Sequence, residues 1–164
     1  MTEATSADPL HLEDLYLEDL VEGMTAVSPA RTVTETDVVA FAGLSGDYNP
    51  LHTDERRAAA SAYGRRVVHG MLGAAIASGL FTRTQLSIRL QASLIAWLGL
   101  DWRFVSPIFI GDTIHVEATV TATRHTRDPD RGIVTIERVV RNQDGTVTQS
   151  GTTHMMVRRR GGGS

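Results

Sequence analysis

The sequence contains no cysteine, which removes disulfides, thiolate metal ligands and a cysteine nucleophile together. Lysine is absent too, since all 16 basic residues are arginine. That excludes Schiff-base chemistry, chain-linked pyridoxal phosphate and the lysine-bearing phosphate loop. No apolar run approaches the roughly 18 residues of a membrane span. The acidic start Met1 to Asp8 lacks the basic segment and apolar stretch of an export signal. A cytoplasmic protein with no membrane partner is the expectation. The net charge is -3 and the arginines are scattered rather than striped, so nucleic acid is not expected as a partner either.

What is present fits one domain with a real core: 164 residues, 41% of them hydrophobic. Residues 1–9 read as a flexible arm, 10–158 as the domain, and 159–164, ending Gly161-Gly162-Gly163-Ser164, as a flexible tail or linker. Leu10 to Leu20 alternates leucines with carboxylates and forms a short helix or an irregular cover. Gly23 to Val33 has strand-like content. Thr34 stands at a helix N-cap with Glu35 and Asp37 in the first turn. Val38, Phe41 and Ala42 share one face of that helix, which ends near Ser45-Gly46. Thr53 or Asp54 caps a second short helix through Ala58 to Ala60, with Gly64 as its stop.

The longest apolar segment, Val67 to Leu80, has small residues on several faces and reads as a central buried helix gripped by surrounding backbone. Beyond Arg89 the period changes to two. Ile114, Val116, Ala118, Val120 and Ala122 alternate with polar residues over Thr113 to Arg124, the pattern of a strand with one wet face. Strands at Ser93 to Phe104, Ile133 to Arg141 and Thr146 to Val157 are separated by Gly111-Asp112, Asp128-Pro129-Asp130-Arg131-Gly132 and Asp144-Gly145. The fold class is therefore α+β, one long helix followed by an antiparallel meander.

Candidate chemistry gathers in Ser45-Gly46-Asp47-Tyr48-Asn49-Pro50-Leu51-His52. On an α-helix, residues five apart lie about 140° apart and could not share a task. Pro50 pushes Asn49 out of the helical region, so the segment folds back and lets Asp47 and His52 converge. Alternatively, Asp47 is a turn former and His52 a hydrogen-bonded structural histidine. Downstream, His69-Gly70 opens the central helix, whose unpaired first-turn N–H groups can stabilise an oxyanion. A metal site of Asp47, His52, Asp54 and His69 lacks any helical His spacing such as H-E-x-x-H. Gly43-Leu44-Ser45-Gly46-Asp47 misses the nucleophile elbow because Asp replaces the final Gly. Trp97, Trp102 and Met71 suggest an acyl pocket or plain core. Arg65, Arg66, Arg83 and Arg103 suggest phosphate binding or solvated surface.

The run from Phe41 to Asp54, with Val68-His69-Gly70-Met71-Leu72 and Pro107-Ile108-Phe109-Ile110-Gly111-Asp112, resembles the MaoC-like, (R)-specific enoyl-CoA hydratase family over roughly residues 14–157. The resemblance implies a hot-dog fold, in which an antiparallel sheet wraps a long central helix, and a homodimer with active sites at the subunit interface. It implies a catalytic pair, Asp47 and His52, with the Gly70 N–H on the thioester oxygen. Tyr48, Asn49, His69, Met71 and Ser78 become substrate-pocket residues. The implied reaction interconverts trans-2-enoyl and (R)-3-hydroxyacyl thioesters of coenzyme A or acyl carrier protein, with no metal and no cofactor. Two alternatives stand beside it, a hot-dog acyl-CoA thioesterase and a non-catalytic thioester-binding or pairing subunit.

Overall fold

The computed structural model describes residues 12–161, so the proposed arm at residues 1–9 and the last three tail residues lie outside the described part. A long strand pattern, alternating as the sequence predicts, organises the rest. In β4 (Thr113–His125) the side chains of Ile114, Val116, Ala118 and Val120 are buried and the intervening ones are not. This phase sets the inner face of a sheet whose order is β1-β4-β5-β6-β3, with β2 also paired to β4. The remaining strands are β1 (Thr25–Val27), β2 (Arg31–Thr32), β3 (Leu94–Phe104), β5 (Arg131–Arg141) and β6 (Val147–Arg158). All pairings are antiparallel.

Helix α1 (Glu35–Ser45) starts at Thr34, whose hydroxyl accepts the Asp37 N–H while the Asp37 carboxylate accepts the Thr34 N–H. It stops at Gly46, which adopts φ 75°, a conformation glycine enters without strain. Two short helices follow. Asn49 accepts the Leu51 N–H to cap α2 (Pro50–Thr53), and Asp54 caps α3 (Glu55–Ala59). Asp54, rather than Thr53, is thus the cap, and α3 ends five residues before Gly64.

Helix α4 (Gly70–Phe81) begins three residues later than the apolar run suggests. Val67 is in a β-bridge with Phe109 and the Val68 N–H donates to the Ile108 carbonyl, so both residues are extended. The helix buries Leu72, Gly73, Ile76, Ala77, Leu80 and Phe81. Its other face, with Met71, Ala75 and Gly79, is exposed, so within one chain the sheet covers α4 rather than surrounding it. Helix α5 (Gln85–Leu90), capped by Thr84, returns the chain to β3. Each fully buried Val, Ile or Leu in this layer contributes roughly 1.5–3 kcal/mol over leaving it exposed.

The stretch from Leu10 to Leu20 proves to be an irregular cover among its described residues, with one 3-10 turn at Leu17–Asp19 and with Leu15, Leu17 and Leu20 buried. Arg159 and Arg160, assigned by sequence to the tail, are fastened to this cover. The Arg159 side chain and the Arg160 N–H both donate to Glu18.

Candidate active site

Three side chains from two separate segments meet beside the N-terminus of α4. Ligand-capable atoms of Asp47, His52 and His69 all lie within 4.8 Å of one another. Local turn chemistry delivers the first two. Ser45 Oγ accepts the Asp47 N–H, Asp47 Oδ1 accepts the Asn49 N–H at 3.2 Å, and Asn49 Oδ1 accepts the Leu51 N–H. The chain folds back as Pro50 requires, with Asn49 at ψ 131°. One Asp47 oxygen is used in this Asx-turn, and the residue is exposed.

Both imidazoles are oriented by backbone carbonyls. His52 Nδ1 lies 2.8 Å from the Val67 carbonyl and His69 Nε2 lies 2.9 Å from the Asp47 carbonyl. A carbonyl only accepts, so each of these nitrogens carries the proton. In the neutral imidazole His52 Nε2 is then the acceptor, the form a general base needs. The two rings stack with centroids 3.9 Å apart and planes 29° apart. Of the two His69 nitrogens only the buried Nδ1 is unengaged, since Nε2 is on the Asp47 carbonyl. Asp54, the fourth residue of the imagined metal set, is occupied in capping α3.

A cleft of about 270 Å³ opens alongside, lined in part by Leu51, His52, Tyr63, Gly70, Phe104 and Gln149. Gly70 is the first residue of α4, and no side chain caps the helix, so its first-turn N–H groups remain available. A Cβ at Gly70 would come 2.9 Å from the Phe104 ring, so any larger residue here must displace that ring. Gln149 joins them: its amide donates to the Gly70 carbonyl at 3.0 Å and its oxygen accepts Trp102 Nε1–H at 2.9 Å.

Among the other residues singled out by sequence, Tyr48 and Met71 are 64% and 60% exposed, and Asn49 serves as the α2 cap. Ser78 sits eight residues beyond Gly70, about 12 Å along the helix axis, and is not part of the cleft wall. Trp97 lies over Arg138 instead, and Arg65 stacks on Phe109. Arg66 is engaged by Glu35 and Glu55, and Arg83 lines a different cleft along α4. Gln149, Phe104 and the His52–His69 stack escape a sequence reading. The available signal was Gln149 itself, a polar residue in the inward phase of a strand.

A model of the MaoC-like domain matches residues 20–142. The chain belongs to the MaoC-like family. Among its relatives is the (R)-specific enoyl-CoA hydratase of Rhodospirillum rubrum, 38% identical over 156 residues, covering 95% of this chain and 99% of that protein. In structure, this MaoC-like chain superposes on the (R)-hydratase of Aeromonas caviae involved in PHA biosynthesis with a TM-score of 0.69 at 34% identity, covering 87% and 99% of the two chains. A Mycobacterium tuberculosis protein with a double hot-dog fold matches at TM-score 0.77 and 19% identity, over 92% of this chain and 46% of that one, which bears on the fold alone. The MaoC-like chain has the hot-dog fold.

Proposed function

We propose that the protein is a hydro-lyase that adds water to trans-2-enoyl thioesters to give (R)-3-hydroxyacyl thioesters, and reverses this, with coenzyme A as the carrier. The observation that carries the reading is the convergence of Asp47 and the bare Nε2 of His52 beside the uncapped start of α4 and an adjoining cleft. In the proposed reaction, water is held between the Asp47 carboxylate and His52 Nε2. The pair accepts a proton as hydroxide adds to the β-carbon. Negative charge then develops on the thioester oxygen, which faces the Gly70 N–H and the positive end of the helix. The pair returns its proton to the α-carbon, so the atoms of water are accounted for. No step needs a metal or an organic cofactor.

The sheet edge supports a homodimer. Among the described residues β3 pairs on one side only, and Trp97, Leu100 and Phe104 on it are 43%, 48% and 56% exposed. A second copy along this edge would cover them and complete the cleft wall that Phe104 begins. No helix among the described residues is long and apolar enough to cross a membrane, and we place the enzyme in the cytoplasm, in fatty-acyl metabolism.

Loss of enoyl absorbance with crotonyl-CoA, followed by chiral analysis of the 3-hydroxyacyl product, tests the activity. An (R) product is expected. Release of free thiol with no hydroxyacyl product would instead support a thioesterase, and an inert chain would support a pairing subunit. Light scattering at micromolar concentration should report a dimer.

A further inference from the structure

His69 is 1% exposed and its Nδ1 is buried with no hydrogen-bond partner among the described residues. Such orphaned buried acceptors are rare in native proteins, and this one stands among the groups assigned to catalysis. The residue does not cap α4, although it occupies the N-cap position. Its contacts lie elsewhere: Nε2–H on the Asp47 carbonyl at 2.9 Å, one ring face on His52 at 3.9 Å, and Phe41 at 5.1 Å. Two segments thus clasp each other reciprocally. The 67–69 segment receives His52 Nδ1–H on Val67 and sends His69 Nε2–H back to Asp47.

We propose that His69 is a positioning residue for the hydration reaction, its Nε2–H fixing the Asp47 backbone and its ring holding the His52 plane. The inference rests on the hydratase reading above. Asp47 lies just beyond the α1 C-cap in an exposed turn, and its remaining contacts are local: Ser45 Oγ on its N–H and its carboxylate on the Asn49 N–H. The His69 bond ties the Asp47 end of this turn to the start of α4, where the oxyanion donors are, while Leu51 and His52 tie its other end to Val67. Leaving the N-cap role unfilled also leaves the first-turn N–H groups free, whereas a Ser, Thr, Asp or Asn at this position would occupy one of them.

Two variants separate the contributions. His69→Phe keeps a ring against His52 and removes the donor, while His69→Gln keeps a donor near the Nε2 position and removes the ring. Because misplacement by about 1 Å can cost roughly 10²-fold, His69→Phe should lose about that much in kcat with KM little changed. His69→Gln should recover most of the loss. A His69→Phe enzyme as fast as wild type, or a His69→Gln enzyme no better than His69→Phe, would overturn the donor role. Near-ultraviolet circular dichroism reports the folded fraction to which each rate is normalised. Independently of any variant, ¹⁵N NMR of the wild-type imidazoles should show His69 protonated at Nε2 and bare at Nδ1, and the opposite tautomer would overturn the proposal. Asp47→Asn assayed in parallel separates the two levels. If it hydrates normally the functional reading fails, and if it is inactive while His69→Phe is fully active only this inference fails.

Discussion

At the N-terminal end of α4, the exposed Asp47 and the half-buried His52 are held by backbone groups; at its C-terminal end Arg138 is fully buried against aromatic faces. The Arg138 guanidinium lies 3.7 Å from the Phe81 ring centroid and 4.6 Å from that of Trp97. Its Nε has no partner, and it makes no ion pair among the described residues. Burial pushes its pKa down to about 10, which still leaves it charged at neutral pH. The contrast shows two ways of keeping polar groups beside one helix. Exposed or half-exposed groups aimed by carbonyls and turn amides keep lone pairs free for chemistry, whereas a desolvated cation is held by ring faces and the Met155 sulfur and has a packing role.

If that division holds, substitutions at the two ends should separate activity from stability. The largest effect belongs to His52→Gln, which removes the proton acceptor and should lower hydration by about 10²- to 10⁴-fold with the fold intact. The His52→Gln, Asp47→Asn double variant should be little worse than either single one, because the pair works as a unit. Additive losses would separate their roles. Gly70→Ala comes next, since its methyl meets the Phe104 ring and displaces it from the cleft wall, with up to about 10²-fold lost in kcat. At the far end, Arg138→Ala should cost ~2–5 kcal/mol in denaturant unfolding. Arg138→Met should stay within about 1.5 kcal/mol of wild type, with turnover of crotonyl-CoA unchanged. A stable Arg138→Met protein that had lost hydration would break the contrast.

Smaller still is the brace between α1 and the chain entering α4. Two hydrogen bonds from Arg66 hold the Glu35 carboxyl below its ordinary range. A carboxyl depressed in the folded state stabilises above its unfolded pKa, and that contribution fades as pH falls through the folded value. Glu35 is exposed, so Glu35→Gln should cost under about 1 kcal/mol at neutral pH and nothing in strong acid. Chelation should have no effect at all. Activity lost to EDTA and restored by zinc would revive a metal role for Asp47, His52 and His69.

The sequence carried the local parts of this picture. Thr34 and Asp54 as caps, Gly46 as a stop, the fold-back at Pro50 and the inward phase of β4 all depend on neighbours within a few residues. Asn49-Pro50 also held a signal for α2, a cap followed by proline at the first helical position, that a reading of Pro50 as a breaker alone passed over. Thr84 with Leu86 and Leu90 did the same for α5. Long-range register was not legible. That Gln149 reaches Gly70, and that Val67 and Asp47 exchange bonds with the two histidines, depends on how separate segments stack. Arg138 lay between, because the alternation of Ile136 and Val140 directs it inward while nothing nearby in sequence says what receives it.

The central claim, that Asp47 moves a proton rather than merely shaping a turn, is tested most directly by the hydration rate of Asp47→Asn. Asparagine can accept the Asn49 N–H as aspartate does, so the turn and the unfolding midpoint should be retained. The rate should fall by about 10²- to 10⁴-fold. An Asp47→Asn enzyme that hydrates crotonyl-CoA at the wild-type rate would contradict the account.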